Sequence, residues 1–324
     1  QKALFEKLFA EDDFVDNRIA SFISRVANEE GEPFDDMDDY QAALLLAIVS
    51  DVNFTDLFQK PFSIVDTKGQ KVSSSRESFR LRSRVDSLVD MPSVYRLSFE
   101  NRGGSATYQD GLLSTFGFGY RNMRNSTNRR PVRASFDLFL CSKIESWKDV
   151  TLDPYYIGRD IDRKPGQKPH TFEGECRGCH APMDAMRGAA AYYDFDANMY
   201  RLNRLAEVAP KYNRNNGTFT QGFQTTDASW ENLLVSPVSQ ARFGWRGPTN
   251  GEGLLSFSTM ISNSRQFQVC MTQRLVREFC DLSDQQASQK VLDPEFQRLA
   301  NEFRESGYRV KTHIQKIVTS GLCK

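Results

Sequence analysis

The sequence predicts a mainly α protein: helical N-terminal and C-terminal modules around an irregular, loop-rich central segment with at most a short β-hairpin. Three observations carry this. Val15, Ile19, Phe22, Ile23 and Val26 recur at helical spacing, so residues 14–27 form an amphipathic helix. Phe296, Leu299, Ala300 and Phe303 make a second stripe, and Val310, Ile314, Ile317 and Val318 a third, with Gly307 between them as a helix stop. Residues 149–175, by contrast, hold Pro154, Pro165 and Pro169 and show little periodicity.

The remaining elements follow in order. Asp35, Asp36, Asp38 and Asp39 precede the apolar run Ala42 to Val49, and acidic groups favour a helix N-terminus through its unpaired N–H groups. These acids lack the glycine and spacing of a calcium loop. Residues 66–75 read as a polar loop and 76–89 as an Arg-rich helix. Gly111 to Tyr120 interleaves glycine with aromatics, and Ala134 to Leu140 leads an apolar pattern into Cys141. Tyr192 to Leu202 alternates and predicts a hairpin around Asn198. Residues 210–227 are a polar loop containing the sequon Asn216-Gly217-Thr218, and 252–281 predict one or two helices. Three segments result: a helical module over 1–134, a central binding segment over 135–205, and a C-terminal helical module over 206–324.

Length and 39% apolar composition allow real cores. Formal net charge is zero, which argues against a dedicated nucleic-acid binder. The balance hides a polarity. Residues 1–40 hold 12 Asp+Glu against 4 Lys+Arg, and residues 68–133 hold 13 Lys+Arg against 5 Asp+Glu. These are solvated faces or docking patches. The longest apolar run is too short to span a bilayer.

Cys176-Arg177-Gly178-Cys179-His180 is the attachment pattern for c-type haem. Two thiols at i and i+3 reach two vinyl groups on one porphyrin edge. His180 then meets the iron as proximal ligand, and Gly178 lets the turn lie flat. One covalent haem c is the expected cofactor, held by Cys176, Cys179 and His180. Two rival chemistries use the same residues: a zinc site of Cys176, Cys179, His180 and His170, and a redox dithiol, which would want a strand–helix context. For the distal iron ligand, Met183 lies too near His180 to cross the ring. Met123 or Met260 is favoured, ahead of Met271, His170 and His313, although a methionine on a helix is commonly core. Arg130, Arg133, Arg177 and Arg187 are candidate partners for haem propionates.

Haem attachment implies export, with a signal removed before Gln1 and no N-terminal lipid anchor. Cysteine use agrees. Cys141, Cys270, Cys280 and Cys323 remain after the motif, an even number that suits two disulfides in a periplasmic or other extracytoplasmic compartment. Ten helical residues rise roughly 15 Å, which excludes Cys270 with Cys280. The favoured pairing is Cys141–Cys270 with Cys280–Cys323; buried free thiols are the alternative.

Several blocks in order are similar to the planctomycete-type haem-containing proteins. Tyr40 to Phe58 resembles their helix ending in Ser-Asp-x-x-Phe. Asp110 to Ser114 resembles their Gly-Leu-Leu-Thr block. Arg130-Pro131-Val132-Arg133 with Leu140-Cys141 is similar to their Ser-Pro-Val-x-Arg-Gly and Leu-Leu-Cys blocks. Cys176 to Asp184 follows their Cys-x-x-Cys-His-x-x-Met-Asp-Pro signature. Leu254 to Cys270 and Tyr308 to Leu322 resemble their closing helices. Ala185 departs from the pattern's proline, and Ser142 to Asp153 replaces its proline run. The resemblance implies an exported haem protein and no defined reaction.

The expected function is an exported monohaem c-type cytochrome-like protein, in electron transfer or as an accessory subunit of an envelope redox complex. Its partner would be a redox protein or that larger complex, with no nucleic acid and no membrane span of its own. A structural or assembly subunit with haem as a folding staple is the second reading, supported by the length of chain for one haem. A peroxidase-like enzyme is the third, and no distal acid–base pair supports it.

Overall fold

The computed structural model describes residues 5, 7–27, 38–73, 87–213 and 217–323. It is mainly helical, with only short two-stranded antiparallel ladders. The chain forms two compact units: residues 1–118 with 266–324, and residues 119–265. The expected boundary at 134 falls inside a helix, Arg130–Leu140.

In the first unit, residues 14–27 are helical as the periodicity predicts, as Phe14–Ile19 followed by Ala20–Ala27. Of the acidic residues before the apolar run, Asp38 caps a helix, Asp39–Val49. Asp38 accepts from the Gln41 backbone N–H while the Gln41 side chain accepts from the Asp38 N–H, a reciprocal capping box. Apolar residues all round this helix explain why it is buried almost throughout. β1, Phe62–Asp66, pairs with β2, Tyr95–Phe99, with Ile64 opposite Leu97. The predicted hairpin count missed this ladder, because β1 is buried on both faces and shows no alternation. Helices Pro294–Glu305 and Val310–Thr319 match the two expected C-terminal stripes, Arg265–Phe279 falls in the stretch 252–281 expected to hold one or two helices, and Gly307 takes φ +75° at the break between the last two helices.

The second unit holds the Arg130–Leu140 and Gly253–Asn263 helices, which pack together. Phe136 is the hub of its aromatic core, with Trp147 at 4.7 Å and Phe243 at 5.4 Å between ring centroids. Trp147, Trp230 and Trp245 all donate their indole N–H, to Ser142 O, Ser256 Oγ and Leu234 O. Burial of a tryptophan requires such a partner. The predicted hairpin is present as β3, Tyr193–Asp196, paired with β4, Arg201–Arg204. A further ladder joins β5, Ser229–Glu231, to β6, Asn250–Glu252.

Cys280 and Cys323 form a disulfide with a Cα–Cα distance of 4.7 Å. Cys141 and Cys270 are disulfide-bonded as well, and Cys176 and Cys179 are free. Among the described residues no helix is long and apolar enough to cross a membrane. Most of the predicted helix 76–89, the sequon residue Asn216 and the acids Asp35 and Asp36 lie outside the described residues.

Candidate haem-attachment site

The motif lies wholly within the second unit. A short wide turn, Phe172–Cys176, runs directly into the helix Arg177–Arg187. Cys176 and Cys179 stand three residues apart on this helical path, so both thiols share one side of a turn. From Ala181 to Arg187 every side chain is buried, whereas Cys176, Cys179 and His180 are only partly buried. These motif residues are therefore where this otherwise inward-facing helix reaches the surface. Burial raises the Cys179 thiol above its ordinary value, which disfavours a reactive thiolate.

Pro182 sits inside the helix and has no N–H to give to the carbonyl four residues earlier. That carbonyl belongs to Gly178, and it accepts instead from the Asp149 N–H at 2.9 Å. A loop is thereby fastened to the motif. A Cβ on Gly178 would lie 2.9 Å from Val150 Cγ1 and 3.3 Å from Val150 N, so glycine lets this loop approach the helix closely. Arg177 secures the same loop: its Nε and Nη2 donate to Leu152 O at 3.0 and 2.8 Å. Both intervening residues of the motif thus hold the segment 149–152. Val150, packed against Gly178 of the motif, remains 45% exposed.

Behind the motif lies a buried charge cluster. Asp184, one helical turn after His180, is fully buried and accepts from Arg129 Nε at 2.5 Å, Arg129 Nη2 at 2.7 Å and Gly158 N at 2.9 Å. Arg129 also donates to both oxygens of Asp160, at 2.5 and 2.9 Å. Arg187 is buried over the Tyr212 ring and faces Asp160 at 3.5 Å, with its Nε and Nη2 lacking a hydrogen-bond partner. A Cβ at position 158 would lie 2.1 Å from Arg187 Nη2, so only glycine fits there. Against the rise that burial would cause, Arg129, then Arg187, hold Asp184 well below the usual carboxylate range.

His180 Nδ1 is buried and makes no hydrogen bond. The Asp184 Oδ1 atom lies 3.6 Å from it, just outside hydrogen-bond range. The ring side chain is nevertheless 23% exposed, so its open part lies away from Nδ1. Two unpaired thiols on one turn and an imidazole with its inner nitrogen toward a carboxylate form a donor set that fits a thioether-linked haem.

The other sequence candidates are placed as follows. Met123 is fully buried, and Met260 is 2% exposed with its Sδ accepting from Asn232 Nδ2 at 3.5 Å. Met183 is buried on the haem-motif helix. His170 is exposed, and among the described residues no three His, Cys, Asp or Glu side chains gather as a metal-holding group, so the zinc set is not assembled. Of the arginines expected near propionates, Arg177 serves Leu152 O and Glu173, and Arg187 is buried in the cluster, while Arg130 and Arg133 are exposed. Sequence reasoning placed Asp184 only within the signature, without a role, and missed Arg129 and Asp160. The signal for Asp184 was present: it stands four residues after His180 on one helix, where side chains meet.

No protein-family model, curated protein or solved structure matches this chain.

Proposed function

We propose that this chain is an exported protein carrying one covalently attached haem c, acting in electron transfer or as an accessory subunit of an envelope redox complex. The observation that carries this reading is the state of six cysteines: four are disulfide-bonded, while the two of the Cys-x-x-Cys-His motif are unpaired and share the partly exposed end of a buried helix with His180. Cys176 and Cys179 would hold the porphyrin through thioethers and His180 would hold the iron. The group supplies a one-electron ferric–ferrous couple. The chain's own contribution is to fix the attachment helix through Pro182 and the 149–152 loop, with half-exposed Val150 beside the motif. The resemblance to planctomycete-type haem-containing proteins and the disulfides agree with an extracytoplasmic location.

Met123 or Met260 remains the proposed distal ligand. Visible spectra of the protein exported from a host with haem-attachment machinery test the reading. A carrier gives a reduced spectrum of c type that is unchanged by carbon monoxide or cyanide. A spectrum that shifts on adding either ligand would replace electron transfer by a ligand-binding or peroxidase-type site.

A further inference from the structure

The buried charge cluster behind the motif has a geometry that ordinary packing does not require. Asp184 has four lone-pair directions on its two oxygens. Oδ2 accepts from Gly158 N and Arg129 Nη2. Oδ1 accepts from Arg129 Nε alone, leaving one direction open. The His180 Nδ1 atom is buried without a hydrogen bond 3.6 Å from Oδ1, on the same helix as Asp184, whereas the unpartnered Arg187 nitrogens belong to a side chain that faces Asp160. Asp184 cannot drift from this position, because Arg129 grips it through two nitrogens and is itself held by Asp160.

We propose, building on the haem reading above, that Asp184 is a positioning residue for His180. Its open Oδ1 direction faces the imidazole Nδ1–H as a hydrogen-bond acceptor, so that Nε2 would carry the lone pair presented to iron. A carboxylate behind a ligating histidine fixes the tautomer and ring orientation and raises the basicity of the ligand. A more basic proximal ligand favours ferric over ferrous iron. Arg129 and Asp160 hold Asp184 in place without touching His180.

The test compares Asp184→Asn with Asp160→Asn in the exported holoprotein. Both disturb Arg129, but only the first alters the group facing His180. Spectroelectrochemical titration is expected to show Asp184→Asn moving the ferric–ferrous equilibrium toward ferrous by at least tenfold, a rise of about 59 mV for a one-electron couple. Asp160→Asn should move it by less than a factor of about three, roughly 30 mV on the same conversion. Equal shifts in the two variants, or no shift in Asp184→Asn, overturn the proposal. If Asp184→Asn does not fold because Arg129 is left unpaired, Arg129→Gln/Asp184→Asn removes both charges, and the same rise is expected there. A wild-type chain isolated without covalent haem sinks the haem reading but not this one. In that chain, nitrogen NMR should find His180 as the Nδ1–H tautomer, shifting toward Nε2–H in Asp184→Asn; an unchanged tautomer overturns the role of Asp184.

Discussion

Arg129 Nη2 lies 2.7 Å from Asp184 Oδ2, and the same guanidinium spans both oxygens of Asp160. One cation therefore neutralises two carboxylates, one of them fully buried. Removing it leaves Asp184 with Gly158 N and Asp160 with Arg187 at 3.5 Å. Arg129→Met is expected to destabilise the second unit by about 3–5 kcal/mol, the usual cost of breaking a buried ion pair from one side. Arg129→Lys should recover only part of this, because an ammonium cannot grip two carboxylates through a planar fork. Urea unfolding of the two variants checks both statements.

His313 gives the first unit an acid-sensitive point. Its Nε2 pairs with Thr272 Oγ1 at 2.9 Å, and its ring stacks on Phe303 at 4.3 Å. Burial, then the neighbouring Lys316 charge, pushes its pKa down to about 3. An unfolded histidine titrates near 6.5. Between these values the unfolded chain binds a proton that the folded chain does not, so stability falls as pH drops from about 6.5 toward 3. His313→Gln keeps a polar partner for Thr272 and removes the titration. Its melting temperature should fall less than that of the wild type between pH 7 and pH 5.

Asp39 acts with the opposite sign. Its carboxylate accepts from the N–H groups of Phe116 and Gly117, both at 2.8 Å, yet burial and the neighbouring Asp38 raise its pKa to about 7. Above about pH 4 the unfolded aspartate has lost a proton that the folded one keeps. This contribution to stability is thus present at acid pH and is lost as pH rises through about 7. Asp38→Asn retains a good N-cap residue while removing the adjacent negative charge. Its stability relative to wild type should be greater at pH 8 than at pH 5, by about 1 kcal/mol if one pKa unit is relieved. Thermal unfolding at the two pH values measures the difference.

Gly188 lies where the end of the motif helix meets β5. A Cβ there would sit 2.0 Å from Ser229 O, a backbone atom that cannot rotate away. Gly188→Ala should cost about 1–3 kcal/mol, as overpacking does, in a chemical-denaturation curve. Gly217, with nothing within 4 Å of its added Cβ, is the control: Gly217→Ala should leave that curve within about 0.5 kcal/mol of wild type.

The Cys280–Cys323 disulfide closes a stretch with a sequence separation of 43. Loop-closure entropy predicts a loss of about 2–4 kcal/mol on replacing both cysteines by alanine. Equilibrium unfolding under non-reducing conditions gives the value.

What could be read from the sequence followed physical periodicity. The helices at 14–27, 294–305 and 310–319 expose a regular apolar stripe, so their residues announced them. The Tyr193–Asp196 strand alternates buried and half-buried residues, and its hairpin was legible for the same reason. β1 and β2 were not, because burial of both faces of β1 removes the alternation. β5 and β6, at three residues each, are too short to carry a pattern. At the candidate site, Cys176, Cys179 and His180 form a local motif. Asp184 required reading one turn further along the same helix, whereas Arg129 and Asp160 arrive from 55 and 24 residues before it and meet it only through tertiary folding. Gly178 was expected to flatten the turn for a ring; its missing side chain is also where Val150 packs.

The most direct test of the account is the intact mass of the exported chain, measured beside Cys176→Ala/Cys179→Ala. A wild-type mass greater than the polypeptide by one haem, resistant to denaturation, is expected, with the double variant at the polypeptide mass alone. A denatured wild-type chain at polypeptide mass, with Cys176 and Cys179 still reactive to a thiol reagent, would contradict it.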